Sequence, residues 1–193
     1  MRVIRTVRLR LVPVSSENAG QLWEMLRQPD LRTYQDLPNL GRNAFAELVG
    51  SRPRQLVRGG TGRFEWMVKP ARSRAALGWV SLRIADRGAN AGEIGYSILR
   101  EHRGRGIATE AVRALLGEAF EAAGLSRVQA FCVPDNLASR RLLERLNFRS
   151  DGVLPHGATV SGRPVNVLIH RLERSRFVQS GKTMEMPASV YPA

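Results

Sequence analysis

The segment Arg103-Gly104-Arg105-Gly106-Ile107-Ala108 holds the residue types and spacing in this chain that most directly imply chemistry. It lies between an extended run ending at Leu99 and the strongest helical pattern of the sequence. The first amides of a helix lack intrahelical partners, and the aligned peptide dipoles leave partial positive charge there. An anion at such an end accepts several N–H bonds at once. Glycines at 104 and 106 remove the Cβ atoms that would block close approach, Arg103 and Arg105 add charge, and the small Ala108 keeps the first turn clear. A Walker A loop does not fit, because no Gly-Lys-Ser/Thr closes the segment. The dinucleotide fingerprint fits no better. It needs a third small residue where Thr109 stands, an acidic residue about 20 positions on, and an apolar central strand where 93–99 is polar.

Few other residues suggest a reactive centre. Cys132 is the single cysteine and cannot form an internal disulfide. His102, His156 and His170 show no ligand spacing with it, so no metal site is expected. The formal charge of +13 invites a nucleic-acid reading. However, the arginines scatter without a basic run, and only Lys69 and Lys182 are lysines. The expectation is a generally basic surface with no specific nucleic-acid partner, one that steers a polyanionic cofactor or an acidic substrate toward it.

The elements that must position the loop follow from periodicity. A chain of 193 residues with 43% apolar content suits one domain with a hydrophobic core. No apolar run approaches the roughly 18 to 20 residues of a membrane span, and residues 1–10 lack a signal-peptide core. The expected location is cytoplasmic. Val7, Leu9 and Leu11 alternate as a first strand. Ser15, with Asn18 three positions on, reads as the cap of a helix whose apolar face is Ala19, Leu22, Trp23 and Leu26. A second helix fits 42–50, with Phe45, Leu48 and Val49 inside. Strands follow at 64–68 and 77–85, then 93–99. The helix after the loop carries Ala108, Ala111, Val112, Leu115, Leu116 and Ala119 on one stripe, and Gly124 suits its left-handed end. A buried strand at 127–133, a helix capped by Asn136 and ending near 146, and strands at 148–154 and 165–172 complete the order. Hairpins with only two helical crossovers favour an α+β domain with a mixed, largely antiparallel sheet. The domain spans 1–173, and 174–193 reads as a polar, flexible tail.

The loop and its flanks together resemble the GNAT superfamily of N-acetyltransferases. Arg103-x-x-Gly106-x-Ala108 is similar to its coenzyme A pyrophosphate loop. Glu93-Ile94-Gly95-Tyr96, Thr109-Glu110-Ala111, 133–139 and Leu143-Glu144-Arg145-Leu146-Asn147-Phe148 resemble the RimJ/RimL branch of protein N-terminal acetyltransferases, as does the opening strand 6–11. The resemblance runs over about residues 6–173 and is dense from 93 to 152. It implies a sheet of about seven strands flanked by about four helices and splayed between 93–99 and 127–133, with acetyl-coenzyme A in the gap. The pyrophosphate would sit on Arg103, Gly104, Arg105, Gly106, Ile107, Ala108 and Thr109. Backbone groups at Ile98 and Leu99 would pair with the pantetheine arm, and Asn136 and Ser139 would face it. A homodimer is a further implication.

The same resemblance assigns Glu93 as general base and Ser139 as general acid, with Leu143 where many GNAT enzymes outside the branch place a tyrosine. Two departures stand out: Ala158 occupies a position where relatives often carry glutamate, and Asn166 one where aspartate is usual. Either the base lies elsewhere, with Glu93 or His156 available, or the acceptor differs. The acceptor site would be built from loops around 28–45, 70–76 and 155–163, which carry no legible motif. A protein N-terminal amine, that of a ribosomal protein included, a small amine such as an aminoglycoside or polyamine, and a non-catalytic module binding coenzyme A or nucleic acid all stay open.

Overall fold

The structure, a computed structural model, describes residues 1–34, 39–86, 88 and 90–182, excepting the side chains of 179–182. Its strands are β1 (Ile4–Arg5), β2 (Leu9–Pro13), β3 (Gly62–Pro70), β4 (Gly78–Ile84), β5 (Ala91–Ile98), β6 (Arg127–Cys132), β7 (Arg149–Val160) and β8 (Arg163–Glu173). They form one sheet in the order β1-β2-β3-β4-β5-β6-β8-β7. Every pairing is antiparallel except β5 with β6. That single parallel step requires a crossover, and α3 (Ile107–Glu121) provides it. The remaining helices are α1 (Ala19–Leu26), α2 (Arg42–Gly50), α4 (Leu137–Arg145) and α5 (Arg174–Lys182). The α+β expectation therefore holds, with the two-residue β1 as an added strand.

Opposed residues in neighbouring strands share a face, and this divides the core in two. Phe64, Leu82 and Ile94 lie in one row and pack beneath Ala111, Val112, Leu115 and Leu116 of α3. Met67 and Trp79 face the other way and pack against Ala19, Leu22 and Met25 of α1 and Phe45 and Val49 of α2. Both faces of the sheet centre are covered, so Met67 and Glu65 of β3 are buried along with Phe64, Trp66 and Val68. Simple alternation in the sequence marks only the second set.

Local boundaries moved where side-chain hydrogen bonds outcompeted helix. Asn18 Oδ1 accepts from the Ser15 amide and Asn18 Nδ2 donates to the Pro13 carbonyl, forming a turn in place of a cap. Consequently α1 starts at Ala19, and Ser15 caps nothing. Leu48 is 39% exposed, not part of the α2 core face. At the C-terminal end of α3, Gly124 adopts φ +69° as its sequence position implied. The last two strands are longer than read: 155–160 continues β7, with a register irregularity between Leu154 and Ala158. The polar segment after Glu173 begins with α5, where Phe177 lies 5.2 Å from Phe120 between ring centroids. Residues 183–193 of the expected tail lie outside the described residues, as do 35–38 of the expected acceptor loop 28–45.

Candidate active site

The parallel pair β5–β6 is hydrogen-bonded only at Ala91↔Arg127, Gly92↔Val128 and Glu93↔Gln129. Both strands continue, β5 to Ile98 and β6 to Cys132, so the sheet opens into a V beyond Glu93. The Leu99 amide donates to the Leu77 carbonyl at 2.9 Å, which makes 77/99 a hydrogen-bonded pair with β4. Antiparallel ladders alternate, so Ile98 and Tyr96 turn their backbone groups to the gap. Of the two positions expected to meet a pantetheine arm, Ile98 faces the opening and Leu99 is tied to β4. The Ile98 carbonyl already accepts Arg103 Nε at 2.8 Å, which leaves its amide.

At the mouth of the V, Gly104 and Gly106 both adopt φ +74°, a left-handed conformation that costs glycine nothing. A Cβ on Gly104 would meet nothing within 4 Å, so the loop's outer side is open. No side chain caps α3, and the first amides of the helix, at Ile107, Ala108 and Thr109, stand free for an anion. Helix α4 contrasts with this, because Asn136 Oδ1 accepts from the Ser139 amide at 3.1 Å. Open amides, two left-handed glycines and a gap leading inward suit a pyrophosphate with a thin arm attached. These residues fit coenzyme A.

Three braces that the sequence did not reveal hold the loop. Arg103 pairs with Asp30 at 2.7 Å while its Nε holds the Ile98 carbonyl, so this guanidinium shapes the loop from behind. Arg8 donates Nη1 to the Arg105 carbonyl at 3.0 Å and Nε to Glu110 at 2.6 Å. Glu110 also accepts from Thr6 Oγ1 and the Arg8 amide. Burial works against the Glu110 carboxylate, but these donors prevail and bring its pKa below the usual range. Arg8 is 97 residues from Arg105 and 102 from Glu110, and Asp30 is 73 from Arg103, so only the fold brings these partners together.

Deeper in the V, Tyr96 Oη lies 2.8 Å from Ser139 Oγ. Ser139 also reaches the Cys132 thiol, whose pKa burial raises. Cys132 Sγ is in turn 3.8 Å from Nδ1 of buried His170. Burial likewise pushes the Tyr96 phenol above its ordinary value, so it stays protonated throughout the neutral range. Of these residues the sequence singled out Ser139; Tyr96 was visible only as part of a motif, and Cys132 and His170 carried no signal. A hydroxyl pair at the inner end of a cleft can pass a proton to a leaving group.

Glu93 stands at the apex of the V and lies 3.5 Å from Arg83. Its row continues through Arg83 to Arg63 on the α1–α2 face, beside the row Glu65, Ser81, Gly95. His156 is placed elsewhere, on the exposed β7–β8 hairpin, with φ +53° and its amide bonded to Asn166 Oδ1. Ala158 pairs with Val165 in that hairpin, so 155–160 is strand. Among the described residues no group of three or more His, Cys, Asp and Glu side chains could hold a metal ion, and no helix is long and apolar enough to cross a membrane.

Over 178 residues the chain is 27% identical to the uncharacterized N-acetyltransferase p20 of Bacillus licheniformis, covering 92% of this chain and 99% of that one. Its fold is similar to that of RimL, the ribosomal L7/L12 alpha-N-protein acetyltransferase solved with coenzyme A, at 18% identity and TM-score 0.78 over 89% of this chain and 98% of that one. It is also similar to the spermidine/spermine N-acetyltransferase SpeG of Vibrio cholerae, at 17% identity and TM-score 0.76 over 91% and 99% of the two chains. The acetyltransferase (GNAT) domain model matches residues 8–149, a span that begins beside the Arg8 brace and takes in both arms of the V. The chain belongs to the GNAT family, and it is an N-acetyltransferase that draws its acetyl group from acetyl-coenzyme A.

Proposed function

We propose that the acceptor is the α-amine of a protein N-terminus, ribosomal proteins included, and that Glu93 and Ser139 act as base and acid in its acetylation. The observation that supports this acceptor is the openness of the apex: the Arg83 and Glu93 side chains are 55% and 43% exposed. Small molecules are usually enclosed on most sides, whereas a chain terminus must enter with its polypeptide left outside. Arginines on this face also disfavour a polycationic amine.

In this reading the amides at the start of α3, together with Gly104 and Gly106, hold the pyrophosphate, with Arg105 and Thr109 beside them. Backbone groups of Ile98 and Tyr96 align the arm, and Asn136 fixes the turn that presents Ser139. Acetyl-coenzyme A supplies an activated acyl group when bound. Glu93 takes the proton released as the amine forms its new bond to the acyl carbon, directly or through water and then on to solvent, while Ser139 passes a proton to the departing sulfur and regains one from water. Positioning supplies much of the remaining rate. A cytoplasmic location and a homodimer belong to the same proposal.

Release of free thiol, measured with N-terminal peptides, aminoglycosides and polyamines as acceptors, is the direct test. Turnover with peptides alone is the expected result. Turnover confined to a small amine removes the protein acceptor, and coenzyme A binding without thiol release from any amine leaves a binding module.

A further inference from the structure

The α1–α2 face holds a second polar feature two strands away from Glu93. Arg63 is in register with Arg83, and Arg83 with Glu93, so their Cα atoms lie in one row. At one strand spacing per step, Arg63 and Glu93 are about 10 Å apart. There the end of α2 and the start of β3 enclose a cavity of about 240 Å³ lined by Val14, Val49, Arg52, Arg54, Arg63 and Glu65 among others.

Its charges do not balance. Glu65 is only 4% exposed. It accepts from Arg63 Nε at 2.8 Å and from Arg52 Nη1, so one buried carboxylate serves two guanidiniums while Arg54 adds a third. Burial and the repulsion of Arg63 push Arg52 down to about 10. The Arg63 side chain is 42% exposed beside this carboxylate, and that of Arg52 is 15% exposed. The Arg63 guanidinium lies 5.8 Å from the Trp79 ring. The edge of the Trp79 ring in turn lies beside Gly95 of β5, where a Cβ would meet it at 3.4 Å, so that ring stands between the head of Arg63 and the strand that forms the V. A second carboxylate entering here would meet a planar fork of donors already held in place.

We propose that this cavity is a subsite for an acidic group on the acceptor, which is then an amine with a carboxylate on the order of 10 Å from its nitrogen, a span taken from the Cα spacing between the Arg63 and Glu93 rows. A peptide with Asp or Glu at its second or third residue meets that span, since an extended chain covers roughly 3.3–3.6 Å per residue. The inference rests on the acetyl-transfer reading above and narrows the substrate to N-termini followed by acidic residues.

Calorimetry tests it on the coenzyme A-bound protein with three hexapeptides identical except for Asp, Asn or Lys at positions two and three. The Asp peptide should bind at least about tenfold more tightly than its Asn isostere, with Lys weakest. In Arg63→Gln the Asp-to-Asn ratio should fall to about threefold or less. Equal wild-type affinities for Asp and Asn overturn the subsite without recourse to any variant, as does an unchanged ratio in folded Arg63→Gln. Thiol release with the same peptides reads the transfer reaction separately. Transfer to all three at equal affinity removes the subsite and keeps the peptide acetyltransferase. An Asp preference in binding without thiol release keeps the subsite and removes the acceptor assignment.

Discussion

The Tyr96 hydroxyl lies 2.8 Å from Ser139 Oγ, which joins the middle of β5 to the first turn of α4 across the gap of the V. The contact orients Ser139 where the two strands no longer pair. Ser139→Ala should lower kcat on the order of 100-fold, the lower range for a lost acid–base group, with coenzyme A affinity little changed. Tyr96→Phe should cost less, about tenfold, because it removes only the hydroxyl's partner. Steady-state kinetics combined with coenzyme A titration separates the two effects. Wild-type kcat in Ser139→Ala would assign the proton to water.

Glu93→Gln keeps the shape of the apex and removes its basic oxygen. Turnover should fall most at low pH, where the acceptor is an ammonium ion. The deficit should shrink as pH rises toward the acceptor's own pKa, about 7.7–8.0 for an α-amine and 10.4 for a lysine-like amine. The pH of recovery therefore reports the acceptor class. A variant matching wild type from about pH 6 to 9 would leave positioning and water as the source of rate.

Gly106 precedes α3 with φ +74°, so any side chain there is strained; its Cβ would lie 3.4 Å from Arg8 Nη2, and an acidic one would set a negative charge at the helix end. Gly106→Asp should weaken coenzyme A binding at least about tenfold, or about 1.4 kcal/mol. Gly106→Ala carries the strain without the charge and should lose less. Equal affinities in wild type and a folded Gly106→Asp, by calorimetry, would move the pyrophosphate away from this loop.

His170 is 5% exposed, and burial holds its pKa below the ordinary histidine value. The folded state therefore binds the proton less readily than the unfolded state, whose value is about 6.5. Stability linked to neutral His170 is complete above about 6.5 and is lost as pH falls toward the folded pKa. Urea midpoints should decline from about pH 6.5 to 5 in the wild type, and more gently in His170→Gln. Parallel profiles would assign the decline to other groups.

The shape of the 103–108 loop was largely legible in the sequence, because its information is local. A glycine pair ahead of an apolar helical stripe specifies an open helix N-terminus from a few consecutive residues, and the structure puts Gly104, Gly106 and α3 in those roles. The element order was equally accessible, since hydrophobic periods of 2 and 3.6 are set by backbone geometry alone. Asn136 could be read as a cap for the same reason, its partner being the amide three residues on.

What tertiary structure decided are relations between residues distant in sequence. The pairing of Arg103 with Asp30, which is 73 residues away, has no trace in the local pattern that marks Arg103 as a loop charge. The double burial of β3 arises because helices from two parts of the chain cover opposite faces of one sheet, placing Glu65 between Arg52 and Arg63. Neither Tyr96 beside Ser139 nor the row from Glu93 to Arg63 leaves a trace in local pattern. Each depends on strand register and on where the parallel pair stops, which long-range packing fixes once the apolar faces have chosen their partners.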